Sequence, residues 1–318
     1  MSEVILETRG LKKYFELGKG ATLHAVDDVS LVVKKGTTLG VVGESGCGKT
    51  TLGRTVLGLL PSTGGQILFR GQDTTKFTGR QQQALRKEMQ IIFQDPYSSI
   101  NPRHSIRRTI AEPIKVNRII RDGKKREEYV LELMRSVGLE PRLASSYPHE
   151  IDGGRRQRVG IARALSVEPQ FIVCDEPVSA LDVSIQAQII NLFMDLQEER
   201  GLTYMFITHD LSVVRHISTE IAVMYLGQCI ERAPAKELFK NPLHPYTKAL
   251  ISAIPVPSAM ARKKRAEIIK GELTSPINPK PGCRFASRCP YVSEGCKKEN
   301  LPLASMGNDH YVACVLHR

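Results

Sequence analysis

The chain has 318 residues, 41% of them hydrophobic and 25% charged, with a formal net charge of +12. That balance excludes a disordered chain, and no apolar run reaches the ~20 residues that span a bilayer. Met1-Ser2-Glu3-Val4 shows no signal-peptide pattern, so the expected location is the cytoplasm unless a partner holds the chain at a membrane. The basic excess leaves a nucleic-acid or membrane-surface partner open. Its local runs, Lys124-Lys125-Arg126 and Arg262-Lys263-Lys264-Arg265, read as solvated surface.

Residues 4–42 alternate apolar and polar positions, predicting antiparallel strands over Val4 to Thr8 and Leu23 to Val33, with Tyr14 in the connection. Lys34-Lys35-Gly36 reads as a turn, Leu39 to Val42 as a buried strand and Leu52 to Leu60 as a helix. Gln66 to Arg70 is a further strand, and residues 81–93 form a helix and a strand that ends at Gln94. From Asp95 to about Pro169 the pattern is helical, with expected breaks at Pro102, Pro113, Gly123, Gly138 to Pro141 and Pro148. Strand and helix then alternate: Phe171 to Cys174, Val183 to Arg200 ended by Gly201, Thr203 to Thr208, Leu211 to His216, and Ile221 to Leu226. Such alternation predicts an α/β core. Beyond it, Pro234, Pro242, Pro245, Pro255 and Pro257 punctuate a short helix over Tyr246 to Ala253, and a loop-rich tail domain is expected.

Residues 39–51 read Leu-Gly-Val-Val-Gly-Glu-Ser-Gly-Cys-Gly-Lys-Thr-Thr. The spacing from Gly43 to Gly48-Lys49-Thr50, between a strand and a helix, is the phosphate-binding P-loop pattern. Glycines let successive amides turn inward toward phosphate oxygens. Lys49 supplies a point charge for the β- and γ-phosphates, and Thr50 a hydroxyl for Mg²⁺. The run Phe171 to Cys174 ends in Asp175-Glu176, which suits Mg²⁺ binding by Asp175 and polarisation of an attacking water by Glu176. Gln94 and His209 close two other strands; the first can order Mg²⁺ and water, the second can meet the γ-phosphate.

In order and spacing, Gly43 to Thr51, Gln94, Ile151 to Arg158, Asp175-Glu176, Ser179-Ala180-Leu181-Asp182 and His209 resemble the nucleotide-binding subunit of an ABC transporter. They correspond to its Walker A, Q-loop, signature, Walker B, D-loop and switch histidine. Phe93 to Arg103 and Asn241 to Thr247 are similar to the ATPases of oligopeptide/dipeptide importers. The resemblance implies an α/β P-loop NTPase core over 1–240 with a mixed sheet and an inserted helical subdomain at about 95–168. It also implies a small C-terminal Cys-rich domain over 241–318. ATP and Mg²⁺ would be the ligands, held by Gly43, Ser45, Gly46, Cys47, Gly48, Lys49, Thr50 and Thr51. Asp152, Gly153, Gly154 and Asp182 would serve the nucleotide of a second, homologous ATPase subunit. Tyr14 falls where the family stacks an aromatic on adenine; ordinary surface packing is the alternative. Two transmembrane permease subunits and an extracytoplasmic peptide-binding protein would complete the importer, with this chain peripheral at the cytoplasmic face of the inner membrane. No nucleic acid is expected, although a soluble DNA-processing ABC ATPase and a non-hydrolytic regulator remain the competing classes.

Two features depart from a plain assignment. The family signature Leu-Ser-Gly-Gly-Gln is Ile151-Asp152-Gly153-Gly154-Arg155 here. Two like charges ~4 Å apart at an effective dielectric of ~20 repel by roughly 4 kcal/mol. Asp152 therefore either penalises a γ-phosphate, giving an asymmetric heterodimer with one slow site, or N-caps its helix and turns away. Secondly, four of the seven cysteines are spaced Cys283-x5-Cys289-x6-Cys296-x17-Cys314. With no tight C-x2-C pair, and with the resemblance pointing the same way, a [4Fe–4S] cluster is expected, Zn²⁺ or no metal being the alternatives.

Overall fold

The computed structural model describes residues 3–254, 275–298 and 300–318. Pro255, Pro257 and the basic run Arg262 to Arg265 lie outside them. The chain divides into two compact units: one of Met1–Ile5, Lys34–Thr37 and Lys76–Ile207, the other of Leu6–Val33, Thr38–Thr75 and Thr208–Arg318. Among the described residues no helix is long and apolar enough to cross a membrane.

In the first unit, strands β6 (Met89–Ile92), β7 (Phe171–Asp175) and β8 (Thr203–Ile207) pair in parallel. Every residue of β7 and β8 is buried, as a parallel strand covered on both faces requires. The helices α4 (Ile106–Val116), α5 (Gly123–Ser136) and α6 (Gly153–Leu165) pack on one another in the span where helices are expected. One expected break is not a break, and another marks a helix start. Pro113 lies inside α4, where burial of Ile106, Ile110 and Ile114 outweighs the hydrogen bond that proline removes. Gly123 opens α5 directly after Asp122, whose carboxylate accepts the Lys125 amide at 2.8 Å. Helix α7 (Val183–Arg200) has the predicted bounds, with Gly201 in the left-handed region at its close.

In the second unit, β1 (Val4–Gly18) contributes all but its first residues and pairs antiparallel with β4 (Gly64–Phe69); β2 (Ala21–Lys34) flanks it and β5 (Gln72–Asp73) extends it. Tyr14 is therefore inside a strand, not in a connection, because β1 is longer than its clean alternation. Strand β3 (Thr38–Val42) pairs in parallel with β9 (Glu220–Tyr225), and β10 (Gln228–Pro234) joins β9 antiparallel. The mixture of parallel and antiparallel ladders agrees with the expected mixed sheet.

The C-terminal stretch does not stand apart. Strand β12 (Tyr311–Val312) pairs with β10, and β11 (Ala304–Ser305) with β12. Tyr246 and Phe285 are buried in the same core as Val42, Ile221, Val223 and Leu238. Helices α8 (Leu211–Ile217) and α9 (Ala235–Lys240) pack beside that core. The described residues of the expected C-terminal Cys-rich domain thus belong to the second unit and share its core.

Candidate functional site

The P-loop belongs to the second unit. Strand β3 brings the chain to Gly43 (φ 154°), where an added Cβ would sit 2.2 Å from the Met224 carbonyl oxygen. Gly48 (φ 101°) is as constrained: its Cβ would lie 2.0 Å from the Ala25 oxygen. Between them Ser45 and Gly46 are exposed at the crown, and the Cys47 side chain is buried beneath. The Gly227 amide donates to Cys47 O at 2.8 Å, fixing the underside of the loop. The Lys49 ammonium donates to Gly43 O at 2.8 Å and Glu44 O at 3.0 Å. Helix α1 (Lys49–Val56), which carries Thr50 and Thr51, starts at Gly48 with no side-chain cap, so its positive end faces the loop that the glycines shape.

His209 is exposed between two anchored neighbours in this unit. The Thr208 amide donates to Val41 O at 3.2 Å, and the Asp210 carboxylate caps α8 through the Ser212 amide at 2.7 Å. The Tyr14 ring stacks on His24, centroids 3.9 Å apart, and its hydroxyl donates to Asp27. Burial first, then Asp27, pushes the phenol well above its ordinary pKa, so it stays a neutral aromatic plate. Arg284 also donates to Asp27, which ties the aromatic position to the C-terminal stretch.

The first unit carries the carboxylates. Asp175 is buried at the end of β7. Glu176 follows in the left-handed region (φ 47°), a strained position for a residue with a Cβ, and its amide donates to Ile207 O at 2.9 Å. The Gln94 side-chain amide donates to Glu176 Oε2 at 2.9 Å and to Ser179 Oγ at 3.4 Å; Ser179 Oγ in turn donates to Glu176 O at 3.1 Å. Gln94, Glu176 and Ser179 thus form one network, in which Ser179 had no assigned role.

Asp152 stands at the head of the signature helix. It N-caps α6, accepting the Arg155 amide at 2.8 Å, and its other oxygen pairs with the Arg155 guanidinium at 3.3 Å. Gly153 and Gly154 form the first turn, with Gly154 close against Ile185 of α7. Asp182 is exposed at the start of α7.

The iron–sulfur expectation is not supported. Cys283, Cys289, Cys296 and Cys314 lie near enough to influence one another electrostatically. Yet among the described residues no group of three or more His, Cys, Asp or Glu side chains is arranged to hold a metal. Burial, reinforced by the neighbouring thiols, pushes Cys283 up to about 11 and raises Cys289 and Cys314 as well.

Residues 26–179 match the family model described as ABC transporter, and residues 230–296 match that of the oligopeptide/dipeptide transporter C-terminal region. The oligopeptide transport ATP-binding protein AppF of Bacillus subtilis is 51% identical, the match covering 99% of this chain and 98% of that protein. The oligopeptide transport ATP-binding protein OppF of Haemophilus influenzae is 48% identical over 98% of this chain and 97% of its own. Among solved structures, the dimeric post-hydrolysis state of the ATP-binding cassette MJ0796 with ADP and Pi superposes with a TM-score of 0.67 at 27% identity. It covers 73% of this chain and 99% of that one.

Proposed function

The chain belongs to the ABC transporter family, among the ATP-binding proteins of oligopeptide and dipeptide transport, and we propose that it is the ATP-hydrolysing subunit of an importer of short peptides. The observation that carries this reading is the P-loop: two glycines that tolerate no Cβ, a buried lysine and an uncapped helix start. That combination suits a triphosphate.

In this reading the amides of Ser45 to Thr51 and the Lys49 charge grip the phosphates, and Tyr14 offers its ring to the adenine. The oxygen donors Thr50 and Asp175 fit a hard cation, and both would hold Mg²⁺, which neutralises phosphate charge when bound. Glu176, kept in place by Gln94 and Ser179, orients the attacking water, and His209 supports the charge that builds on the γ-phosphate. Asp152, Gly153, Gly154 and Asp182 face the nucleotide of a second, homologous ATPase subunit. Permease subunits hold the pair peripherally at the inner face of the membrane, and an extracytoplasmic protein delivers the peptide.

The test is reconstitution of the chain with its permeases and a second ATPase subunit in vesicles. MgATP hydrolysis should rise when peptide and its binding protein are present. Hydrolysis that responds to DNA and ignores peptide would overturn the assignment.

A further inference from the structure

The nucleotide-binding reading assigns no task to the turn between Cys283 and Cys289, although its two arginines both reach the P-loop unit's working parts. Arg288 donates to Glu44 Oε2 at 3.0 Å, and Glu44 directly follows the first P-loop glycine. The other side of Glu44 is held too: its amide donates to the Tyr246 hydroxyl at 2.9 Å, and its carbonyl accepts from Lys49 at 3.0 Å. Arg284 donates to Asp27, the carboxylate that also accepts from Tyr14, and to Leu226 O. Both guanidinium side chains are nine-tenths or more buried.

These are not loose surface pairs. Tyr246 is fully buried, and Tyr225, Tyr246 and Phe285 pack edge to face with centroids 4.7–5.4 Å apart. Arg288 also donates to the Tyr225 hydroxyl at 3.3 Å and lies over that ring. A charge-assisted hydrogen bond in such surroundings loses little to solvent and has a defined geometry.

Resting on the proposed ATP site, we infer that Arg288 and Tyr246 are positioning residues for the P-loop, and that Arg284 does the same for Tyr14 through Asp27. The C-terminal stretch then sets the affinity for nucleotide without touching it. Arg288 fixes the Glu44 side chain and Tyr246 fixes its amide, leaving the Glu44 carbonyl as a defined seat for the Lys49 ammonium. When Glu44 is released, Lys49 and the following amides lose their common reference, and phosphate binding must first reorder them.

The experiment is ATP binding to the full chain by calorimetry, with melting temperature recorded for each variant. Arg288→Ala should weaken binding by about tenfold and Tyr246→Phe by about threefold, as loss of a charged and of a neutral hydrogen bond implies. Arg288→Lys should recover much of the affinity. Because both act on Glu44, the double variant should lose less than the product of the single losses. In the reconstituted importer KM for ATP should rise while kcat stays within about twofold, a split that general destabilisation would not produce. Tyr246→Phe keeps the buried ring and guards against a misfolded Arg288→Ala. Wild-type affinity in both variants, with binding still abolished by Lys49→Ala, would overturn the brace and leave the ATP reading standing. A wild-type chain that binds no ATP would overturn both.

Discussion

Two glycine-rich segments each open a helix in this chain, and they treat the helix dipole in opposite ways. Before α1 the N-cap is Gly48, no side chain caps the helix, and the loop is fixed from beneath by Gly227 and from the side by Tyr246 and Arg288. Before α6 the N-cap is Asp152, which accepts an amide of its own helix and carries its own cation, Arg155. A helix start without a side-chain cap invites an external anion, whereas one that already holds a carboxylate has its need met internally. The contrast teaches that similar glycine content does not give similar anion affinity; the N-cap residue and the rigidity of what lies behind it decide.

The largest effect should come from Glu176, the carboxylate proposed to orient the attacking water. Glu176→Gln keeps the shape and the Gln94 contact region but removes the base, and hydrolysis by the assembled complex should fall by at least ~100-fold. Retained turnover would mean that the competent site is completed without Glu176, and the division of labour between the two segments would have to be reversed.

Backbone substitution tests the rigidity half of the comparison. Gly48→Ala forces a Cβ against the Ala25 carbonyl in a left-handed conformation, and unfolding free energy should drop by ~3 kcal/mol or more. Gly153→Ala meets only Leu181 at 3.4 Å with no positive φ, and its cost should stay within about 0.5 kcal/mol because alanine favours a helix. Chemical denaturation of the two variants measures both numbers. Equal losses would remove the claim that one loop is braced and the other is not.

Much of this was readable from residue order. The apolar runs of β3 and β7 and the close of α7 are local signals: a buried strand needs consecutive apolar residues, and Gly201 takes the left-handed conformation that ends a helix. Pro113 misled because its helix is held by neighbours far along the chain. The braces were invisible for the same reason. Arg288 and Glu44 are 244 positions apart, and Arg284 and Asp27 are 257, so no periodicity connects them. Asp152 was ambiguous because capping and repulsion need the same residue, and only the direction of its carboxylate separates them.

Acid should discriminate between the segments as well. His244 Nδ1 accepts the Tyr246 amide at 3.1 Å, and burial pushes this imidazole down to about 4. The unfolded chain takes up the proton near pH 6.5 while the folded chain resists it. The contribution is therefore complete above about pH 6.5 and is lost as pH falls toward 4, a difference of roughly 3 kcal/mol. Glu231 acts with the same sign at lower pH: burial opposes it, but hydrogen bonds from His310 and from the Leu243 and His244 amides outweigh that and hold its carboxyl below the usual range. Hydrogen exchange between pH 6.5 and 4.5 should show residues 43–51 losing protection faster than residues 153–165. The reverse order would detach the P-loop from the His244–Tyr246 support.

The smallest effect concerns the charge on the signature helix. Asp152→Asn keeps a good N-cap, so stability should change by less than about 0.5 kcal/mol. It removes the negative charge and leaves the Arg155 cation in place. Asp152 and Arg155 are both about half exposed, so their pairing contributes at most about 1 kcal/mol, and the carboxylate is only partly masked toward the phosphate of the nucleotide proposed to sit on a second subunit. ATP-driven dimerisation with the proposed second ATPase subunit should accordingly tighten by a few-fold in Asp152→Asn, and Asp152→Asn with Arg155→Ala should give part of that gain back. If the single variant leaves dimerisation unchanged, Arg155 already neutralises Asp152, and the site completed by this signature is no weaker than one carrying serine. If dimerisation weakens, the carboxylate is itself a contact to a cation on the partner. The contrast with the P-loop would then lie in what each helix start binds, and not in whether it binds.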